Sequence, residues 1–206
     1  MILERLSVGV YGANCYIIGD EKTDEAAVVD PGGDADKILK VLEDKGLHLK
    51  YILLTHGHGD HIGGLKELKE KTNAPIYLHE EDHAMLQNSN KNFSSRMGGP
   101  VIEMTADHFL EEGDSLKVGE LTLNIIHTPG HTQGCVCIHI EDIILTGDTL
   151  FANSIGRTDL DGGNHQQIIK SIKDKLMTLD ENTTVFPGHG PATQIGVEKT
   201  TNPYIK

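Results

Sequence analysis

The sequence of 206 residues predicts an α/β protein in which two β-sheets form a sandwich that helices cover on the outside. Short β-rich runs alternate with amphipathic helices, and this alternation occurs in both halves of the chain. It fits a sandwich of two sheets better than one doubly wound sheet. The length suits one large domain and no linker interrupts the pattern, so we expect a single domain over residues 1–206.

The first half of the chain contains five β-rich runs and three helical segments. The predicted strands cover residues 5–10, 14–18, 26–30, 51–54 and 74–78. The predicted helices cover residues 34–45, 62–71 and 80–87. Asp34 is the expected cap of the first helix and Gly46 its stop. The polar stretch 88–100 predicts a surface loop that is a candidate for shaping a pocket mouth.

The second half returns to β signals and then forms one clear helix. Its predicted strands cover residues 115–118, 121–126, 135–140, 143–145 and 184–186. Asn164 opens the helix with Gln167 as its capping-box partner. The apolar face of this helix consists of Ile168, Ile172, Leu176 and Leu179. Only a charged tail follows Pro191, so we expect no separate C-terminal helical domain.

The charge and the apolar content exclude several classes of partner. Lysine and arginine number 18 against 31 acidic residues, and the net charge of -13 gives little attraction for nucleic acid or anionic lipid. No run approaches the ~20 apolar residues that span a bilayer, and the N-terminus has no signal-peptide pattern. Three cysteines without a CxxC pair favour a reducing compartment. We expect a cytoplasmic protein with a small-molecule partner; its oligomeric state stays open, a monomer included.

Five histidines and two aspartates stand where a two-metal site needs them. They are His56, His58, Asp60, His61, His131, Asp148 and His189. The first four fall within six residues, with Gly57 and Gly59 between them as candidates for the positive φ angles of a tight loop. This cluster comes directly after a predicted strand, and the other three side chains also follow β-rich runs. Such side chains can meet at one edge of the sandwich.

The types of side chain in this set favour a catalytic metal site. Imidazole and carboxylate suit zinc, iron or manganese, and a closed structural zinc site usually includes thiolates, which this set lacks. Seven side chains exceed the needs of one tetrahedral ion, but they match two ions with three ligands each and one shared carboxylate. Asp148 is the natural bridge because it directly follows the apolar run that ends at Leu145.

This pattern resembles the metallo-β-lactamase superfamily, and within it the glyoxalase II branch. The resemblance implies an αββα sandwich of two mixed β-sheets. It assigns His56, His58 and His131 to one ion and Asp60, His61 and His189 to the other, with Asp148 shared. The implied reaction is hydrolysis of an acyl bond by a hydroxide between two divalent ions, with Asp60 and Asp148 as catalytic residues. Zinc is the expected metal, with iron or manganese as alternatives.

The stretches 154–159, 163–165 and 186–191 further resemble the short bacterial glyoxalase II-like proteins. That resemblance implies a hydroxyacyl-glutathione thioester, such as S-lactoylglutathione, as substrate. Where longer relatives use a lysine and two tyrosines to contact the thiol part, this chain has Arg157, Asp159 and Pro191. Arg157 either pairs with a substrate carboxylate or forms a salt bridge with a neighbouring acid. His165 is a second candidate for substrate contact.

Two other functions stay open. A persulfide dioxygenase, another branch that this chain resembles, would hold one iron with His56, His131 and Asp148. A non-catalytic binding scaffold would be marked by the loss of a metal ligand, and none of the seven is missing. For the hydrolase and for the dioxygenase alike, three residues are candidates for hydrogen bonds that orient the metal ligands, namely Asp30, Thr55 and Thr146.

Overall fold

The first sheet is built by the N-terminal half of the chain in the computed structural model, which describes residues 1–206. Its six strands are β1 (Ile2–Val8), β2 (Ala13–Gly19), β3 (Glu25–Val29), β4 (His48–Leu53), β5 (Ile76–His79) and β6 (His108–Leu110). They lie in sequence order across the sheet. The pairs from β1 to β3 are antiparallel and those from β3 to β6 are parallel, so the sheet is mixed.

The second sheet is built by the C-terminal half and is also mixed. The strands of this half are β7 (Ser115–Val118), β8 (Leu121–His127), β9 (Val136–Ile140), β10 (Ile143–Gly147), β11 (Leu150–Phe151), β12 (Ser154–Ile155), β13 (Thr184–Pro187) and β14 (Thr193–Gln194). The order across the sheet is β14-β13-β10-β9-β8-β7, in which only β10 and β13 are parallel. Strands β11 and β12 form a separate two-stranded ribbon.

The chain forms six α-helices, and the three longest pack on the outer faces of the two sheets. The six are α1 (Ala35–Asp44), α2 (Gly59–Ile62), α3 (Leu65–Thr72), α4 (His83–Leu86), α5 (His165–Lys175) and α6 (Ile195–Thr201). Short 3₁₀ turns lie at Glu80–Asp82, Ser94–Arg96 and Leu176–Thr178. None of the helices combines the length and the apolar character needed to cross a membrane.

Three buried apolar clusters fill the spaces between these layers. Along β3, Ala26 and Val28 pack with the apolar faces of α1 and α3, whereas Ala27 and Val29 pack against the second sheet. This alternation follows from the two-residue period of a strand. A third cluster contains Ile168 of α5 and packs that helix on the outside of the second sheet. The four-layer αββα arrangement predicted from the sequence is therefore confirmed.

Several local predictions need correction. The predicted helix 62–71 corresponds to α3, which begins at Leu65, whereas Ile62 ends the preceding helix α2. Gly63 and Gly64 between the two helices pack against the backbone of Gly32 and Gly33, which leaves no room for a side chain. Asp34 stands at the N-cap position of α1 with φ 49°, yet its carboxylate does not cap the helix. It accepts hydrogen bonds from the N–H of Gly9 and from Lys37 Nζ instead.

At the C-terminal end, one capping prediction holds in part and one element was missed. Asn164 Oδ1 accepts a hydrogen bond from Gln167 N, which caps α5 as expected. The reciprocal half of the capping box is absent, because Asn164 N donates to Gly130 O and Gln167 Oε1 accepts from Gln133. The tail after Pro191 contains helix α6, which the sequence pattern did not predict.

Candidate metal centre

The structure brings all seven predicted ligands to one edge of the sandwich. His56 and His58 lie in the loop after β4, and Asp60 and His61 lie in the short helix α2. The remaining three follow strands of the second sheet and are His131 after β8, Asp148 after β10 and His189 after β13. The prediction that the whole first cluster lies on a loop is therefore wrong for Asp60 and His61. Their assignment as ligands stays a prediction.

The donor atoms form two groups, each compact enough for one ion. The ligand atoms of His56, His58 and His131 all lie within 4.8 Å of one another, and His58 Nδ1 is 2.9 Å from His131 Nε2. The ligand atoms of Asp60, His61 and His189 meet the same limit. These two groups match the division into two ions that the resemblance implies.

Asp148 lies between the two groups. Its carboxylate is 3.7 Å from His131 Nε2 in the first group. It is 3.4 Å from His61 Nε2 and 3.8 Å from His189 Nε2 in the second. Asp148 is thus within 3.8 Å of histidine nitrogens of both groups, and this geometry suits a shared carboxylate.

Buried donor atoms without partners indicate that cations fit this site. His56 Nε2, His58 Nε2 and Asp148 Oδ1 are buried and have no hydrogen-bond partner. Unpartnered buried polar atoms are rare because each forfeits its hydration. Imidazole nitrogens and a carboxylate are suitable ligands for zinc, iron or manganese. A divalent cation in each group would satisfy the donors that point into this edge.

Hydrogen bonds on the far side of the rings orient three of the histidines. His131 Nδ1 donates to the carbonyl oxygen of Arg157 at 2.7 Å, and a carbonyl oxygen can only accept. His61 Nδ1 is 3.0 Å from Asp30 Oδ2, and His56 Nδ1 is 3.1 Å from Thr55 Oγ1. These contacts place a proton on Nδ1 of each ring, so Nε2 is the ring nitrogen that can bind a metal.

Asp30 and Thr55 form the support that the sequence predicted near the ligands. Thr55 donates its hydroxyl proton to Asp30 Oδ2 at 2.6 Å, and the Thr55 N–H donates to Asp30 Oδ1 at 2.7 Å. Asp30 also lies close enough to His56 and His61 to count as a possible metal ligand. Both of its oxygens already accept hydrogen bonds, so we interpret Asp30 as the hydrogen-bond partner that orients His61. Thr146 does not take such a role, since its hydroxyl donates to Leu150 O.

A second buried carboxylate, Asp82, was missed by sequence reasoning. Its Oδ2 accepts from Gly57 N at 3.0 Å and from Thr132 Oγ1 at 2.7 Å, and its Oδ1 accepts from Gly134 N at 2.8 Å. It thereby ties the His56–His58 loop to the loop that carries His131. Asp82 stands in the acidic run Glu80–Asp82, whose sequence is typical of an exposed turn. Only its position after β5, at the edge where the ligands lie, could have indicated its role.

The glycines of the first cluster serve close packing. Neither Gly57 nor Gly59 has a positive φ angle, so the expected reason for them is wrong. A Cβ at Gly59 would lie 2.9 Å from Asn92 O and 2.9 Å from Met97 Sδ. Any side chain at Gly59 would therefore push the 88–100 loop away from the metal ligands.

The loop that carries His189 is held by hydrogen bonds from the opposite sheet. Asn14 N donates to Gly188 O at 2.7 Å, and Asn14 Nδ2 donates to Pro187 O at 2.9 Å. The Tyr16 hydroxyl also donates to Pro187 O, at 2.7 Å. Strand β2 of the first sheet thus holds the loop that carries a ligand from the second sheet.

Burial and the charges of neighbouring ligands shift the pKa values of the predicted ligands, and the direction differs from one ligand to another. Burial lowers the pKa of His56 well below its usual value and that of His58 to about 3, with the nearby histidines adding to the effect. Burial also disfavours protonation of His61, but Asp148 and Asp30 outweigh it and raise the His61 pKa. Burial alone would raise the pKa of Asp60, whereas His189 and His61 reverse this and lower it. Both carboxylates of the set are therefore ionised, since the Asp148 pKa is lowered as well.

Four of the seven predicted ligands, His58, Asp60, His131 and Asp148, form the floor of a cavity of about 340 Å³. It is lined by Tyr11, His58, Asp60, Phe93, Arg96, Met97, His131, Asp148, Arg157 and Leu160. Arg157 lies at this cavity, as expected of a substrate contact, but its guanidinium also makes two 2.8 Å hydrogen bonds with Asp159. His165 is exposed at the start of α5 and does not line the cavity. Arg96 was not singled out from the sequence.

Comparison with known proteins points to one family. The protein-family model described as metallo-beta-lactamase superfamily matches residues 8–189. The probable metallo-hydrolase YqgX of Bacillus subtilis (strain 168) is 41% identical, over 98% of this chain and 96% of its own. The hydroxyacylglutathione hydrolase GloC of Haemophilus influenzae (strain ATCC 51907 / DSM 11121 / KW20 / Rd) is 37% identical, over 100% of this chain and 98% of its own.

Solved structures show the same similarity. BLEG-1 B3 metallo-beta-lactamase superimposes with a TM-score of 0.93 at 39% identity, over 100% of both chains. TTHA1623 in a di-iron-bound form gives 0.87 at 32% identity, over 98% of this chain and 99% of its own. ETHE1 from Myxococcus xanthus gives 0.84 at 31% identity, over 98% and 84%. With its matching fold and its seven clustered side chains, this chain belongs to the metallo-β-lactamase superfamily.

Proposed function

We propose that the protein is a binuclear metallohydrolase that cleaves a hydroxyacyl thioester of glutathione, such as S-lactoylglutathione. The observation that carries this proposal is the position of Asp148 between two three-residue donor groups, on the floor of an open cavity. Similarity to GloC, which is named a hydroxyacylglutathione hydrolase, supports the substrate class. The cavity volume of about 340 Å³ lies in the range of small-molecule sites.

We propose zinc as the metal of both sites, with iron as the first alternative because TTHA1623 was solved with two irons. When bound, two such ions supply Lewis acidity that lowers the pKa of water toward ~7 and polarises the acyl carbonyl. The protein prepares the ligands for this task. His56 and His58 are neutral because burial lowers their pKa values, so protons do not compete for their lone pairs.

Asp60 is the residue that we assign to the attacking water. Its carboxylate lines the cavity and is ionised, and its Oδ2 is 3.2 Å from His189 Nε2. An ionised carboxylate oxygen at the cavity floor can accept a hydrogen bond from water. That bond orients a lone pair of the water oxygen toward the acyl carbon. The variant Asp60→Asn tests this role: because Asp60 is also a proposed ligand, its metal content is measured beside its rate, and we expect slower hydrolysis even in protein reloaded with two ions.

A mono-iron persulfide dioxygenase is the second candidate. Its ligand set of His56, His131 and Asp148 has some support, because Asp148 Oδ2 lies 3.7 Å from His131 Nε2. It leaves Asp60, His61 and His189 without a role, although these three form a donor group of their own. A non-catalytic scaffold is disfavoured because it gives no reason for three buried donor atoms without partners.

Metal analysis beside a substrate panel tests the proposal. The panel consists of S-lactoylglutathione, other acyl thioesters, a β-lactam and glutathione persulfide. We expect two metal ions per chain and fastest turnover of the glutathione thioester. One iron per chain with persulfide-dependent oxygen uptake would instead establish the dioxygenase. Hydrolysis of the β-lactam alone would overturn the substrate class while leaving the binuclear centre in place.

A further inference from the structure

Arg96 is a cation without an acidic partner at the mouth of the metal cavity. Its side chain lines the cavity and is exposed, and none of the salt bridges in the structure includes it. Arg157, the other cation of the cavity, is held by two hydrogen bonds to Asp159. Of the two arginines that line the cavity, Arg96 is therefore the one whose guanidinium no neighbouring carboxylate holds.

The loop that carries Arg96 is held firmly against the metal ligands. Asn92 is fully buried, and its side chain donates to Ile102 O at 2.9 Å and accepts from Ser94 N at 2.9 Å. The carbonyl of Asn92 accepts from Gly59 N at 2.7 Å, which joins the loop to helix α2. Phe93 has φ 66°, a left-handed conformation that persists in a bulky residue only where its surroundings enforce it.

The cavity is polar at its floor, apolar along its wall and cationic at its mouth. The floor holds Asp60 and Asp148, which are ionised, and the wall includes Phe93, Met97 and Leu160. An anionic group of a ligand would be repelled at the floor unless metal ions were there, but it would be attracted to Arg96. A matching ligand carries its anion at a distance from the reacting carbonyl and an uncharged segment between them.

We propose that Arg96 determines substrate specificity by binding a carboxylate on the thiol part of the thioester substrate. This inference rests on the proposed thioester hydrolysis and names the part of the substrate that the enzyme recognises. The guanidinium offers parallel N–H donors that match a carboxylate in a two-bond fork. Because the Phe93 to Arg96 segment is fixed, little loop ordering opposes the binding.

Kinetics with two substrates of equal acyl group test this role. The substrates are S-lactoylglutathione and the neutral lactoyl thioester of N-acetylcysteamine. We expect Arg96→Ala to lower kcat/KM for the glutathione thioester about tenfold, mainly through KM, as a charge-assisted hydrogen bond warrants. The neutral thioester should react at the rate of the unmodified protein, and Arg96→Lys should retain part of the preference. Equal losses on both substrates, or no loss on either, would overturn the proposal.

Lys91→Ala is the matched control. Lys91 is an exposed cation on the same loop, has no salt bridge and does not line the cavity. Its removal changes the net charge as Arg96→Ala does, so the control separates local recognition from general attraction of an anionic substrate. A loss with Lys91→Ala as large as that with Arg96→Ala would contradict a specific role.

Binding of S-methylglutathione, measured by calorimetry, separates this proposal from the proposed reaction. This thioether carries the same carboxylates and cannot be hydrolysed. If the metal-loaded protein binds it and Arg96→Ala weakens the binding about tenfold, the recognition role holds even when no thioester is turned over. If thioesters are hydrolysed but the thioether binds equally to both proteins, or to neither, the recognition role is wrong and the hydrolase stands.

Discussion

The floor and the mouth of the metal cavity differ in how their side chains are held. At the floor, His58 and His131 are at most 3% exposed, and His56 and His61 beside them are fully buried. At the mouth, the Arg157 side chain is 60% exposed, and Arg96 lies on the surface as well. Buried side chains with fixed partners define the position of reacting atoms, whereas exposed ones can change with little cost to folding. The comparison teaches that the side chains that can hold metal and those that we propose for substrate contact are held in different ways, so each set can be changed separately.

Asp148→Asn should have the largest effect, because it alters the carboxylate that lies within 3.8 Å of both donor groups. We expect hydrolysis to fall about 10³-fold, the scale of several kcal/mol of transition-state stabilisation that metal ions supply. Metal content should fall below two ions per chain, measured on the purified variant. Asp142→Asn, exposed before the other end of β10, is the control. Full activity of the Asp148 variant would rule out a shared carboxylate.

Asp82→Asn should have the next largest effect, since Asp82 supports the floor without being a ligand. The amide replaces one of two acceptor oxygens by a donor that faces an N–H or a hydroxyl. We expect metal affinity of the His56, His58 and His131 group to fall ~10–100-fold, as for other residues that orient ligands. Competition with a chelator measures this. The exposed neighbour Glu81→Gln should change nothing, and unchanged affinity in the Asp82 variant would remove it from the support.

Arg157→Ala should change the mouth alone. The carbonyl of Arg157 that accepts from His131 is unaffected, so metal content should stay at the level of the unmodified protein. We expect KM for S-lactoylglutathione to rise ~2–5-fold, because an exposed charge pair contributes little. Steady-state kinetics check this, with Asp159→Asn as a second variant that frees the guanidinium from its partner. Unchanged KM and kcat would leave the Asp159 salt bridge as the only role of Arg157.

The smallest effect should come from His79, which lies outside the cavity. Its ring stacks on His127 with centroids 4.0 Å apart, and Glu81 N donates to its Nδ1. Burial, with His127 adding to it, lowers the His79 pKa below the ordinary value of 6.5. The unfolded chain then binds a proton that the folded protein does not, so stability should be lost as pH falls below 6.5. In urea unfolding at pH 8 and pH 6, His79→Gln should show a smaller loss than the exposed control His48→Gln; equal losses would contradict this.

The predictable parts of this fold and site are those that a local pattern encodes. Asn164 was recognised as a helix cap because its partner lies three residues on, and the strands were recognised from apolar runs. The ligands were recognised from residue type and spacing, and from their places directly after strands. Short or polar elements such as β6, β14 and α6 were missed because few apolar residues mark them.

The residues that could not be predicted act through distant partners. Asp82 stands 52 residues from Gly134 in sequence, and in the run Glu80–Asp82 nothing distinguishes it from its exposed neighbours. Arg96 lies in the polar loop 88–100, which the sequence predicted as a candidate for shaping a pocket mouth without distinguishing this arginine. Its place over the cavity depends on the buried Asn92 and on the close approach to Gly59.

By itself, the sequence determined the layered architecture and the set of side chains that can hold metal, because strand periodicity and ligand chemistry are local properties of residues. Only the tertiary structure decided which buried carboxylate joins the ligand loops and which arginine of the cavity remains unpaired at the mouth. These depend on distances between loops of two different sheets. Packing of the sheets sets those distances, and no spacing along the chain records them.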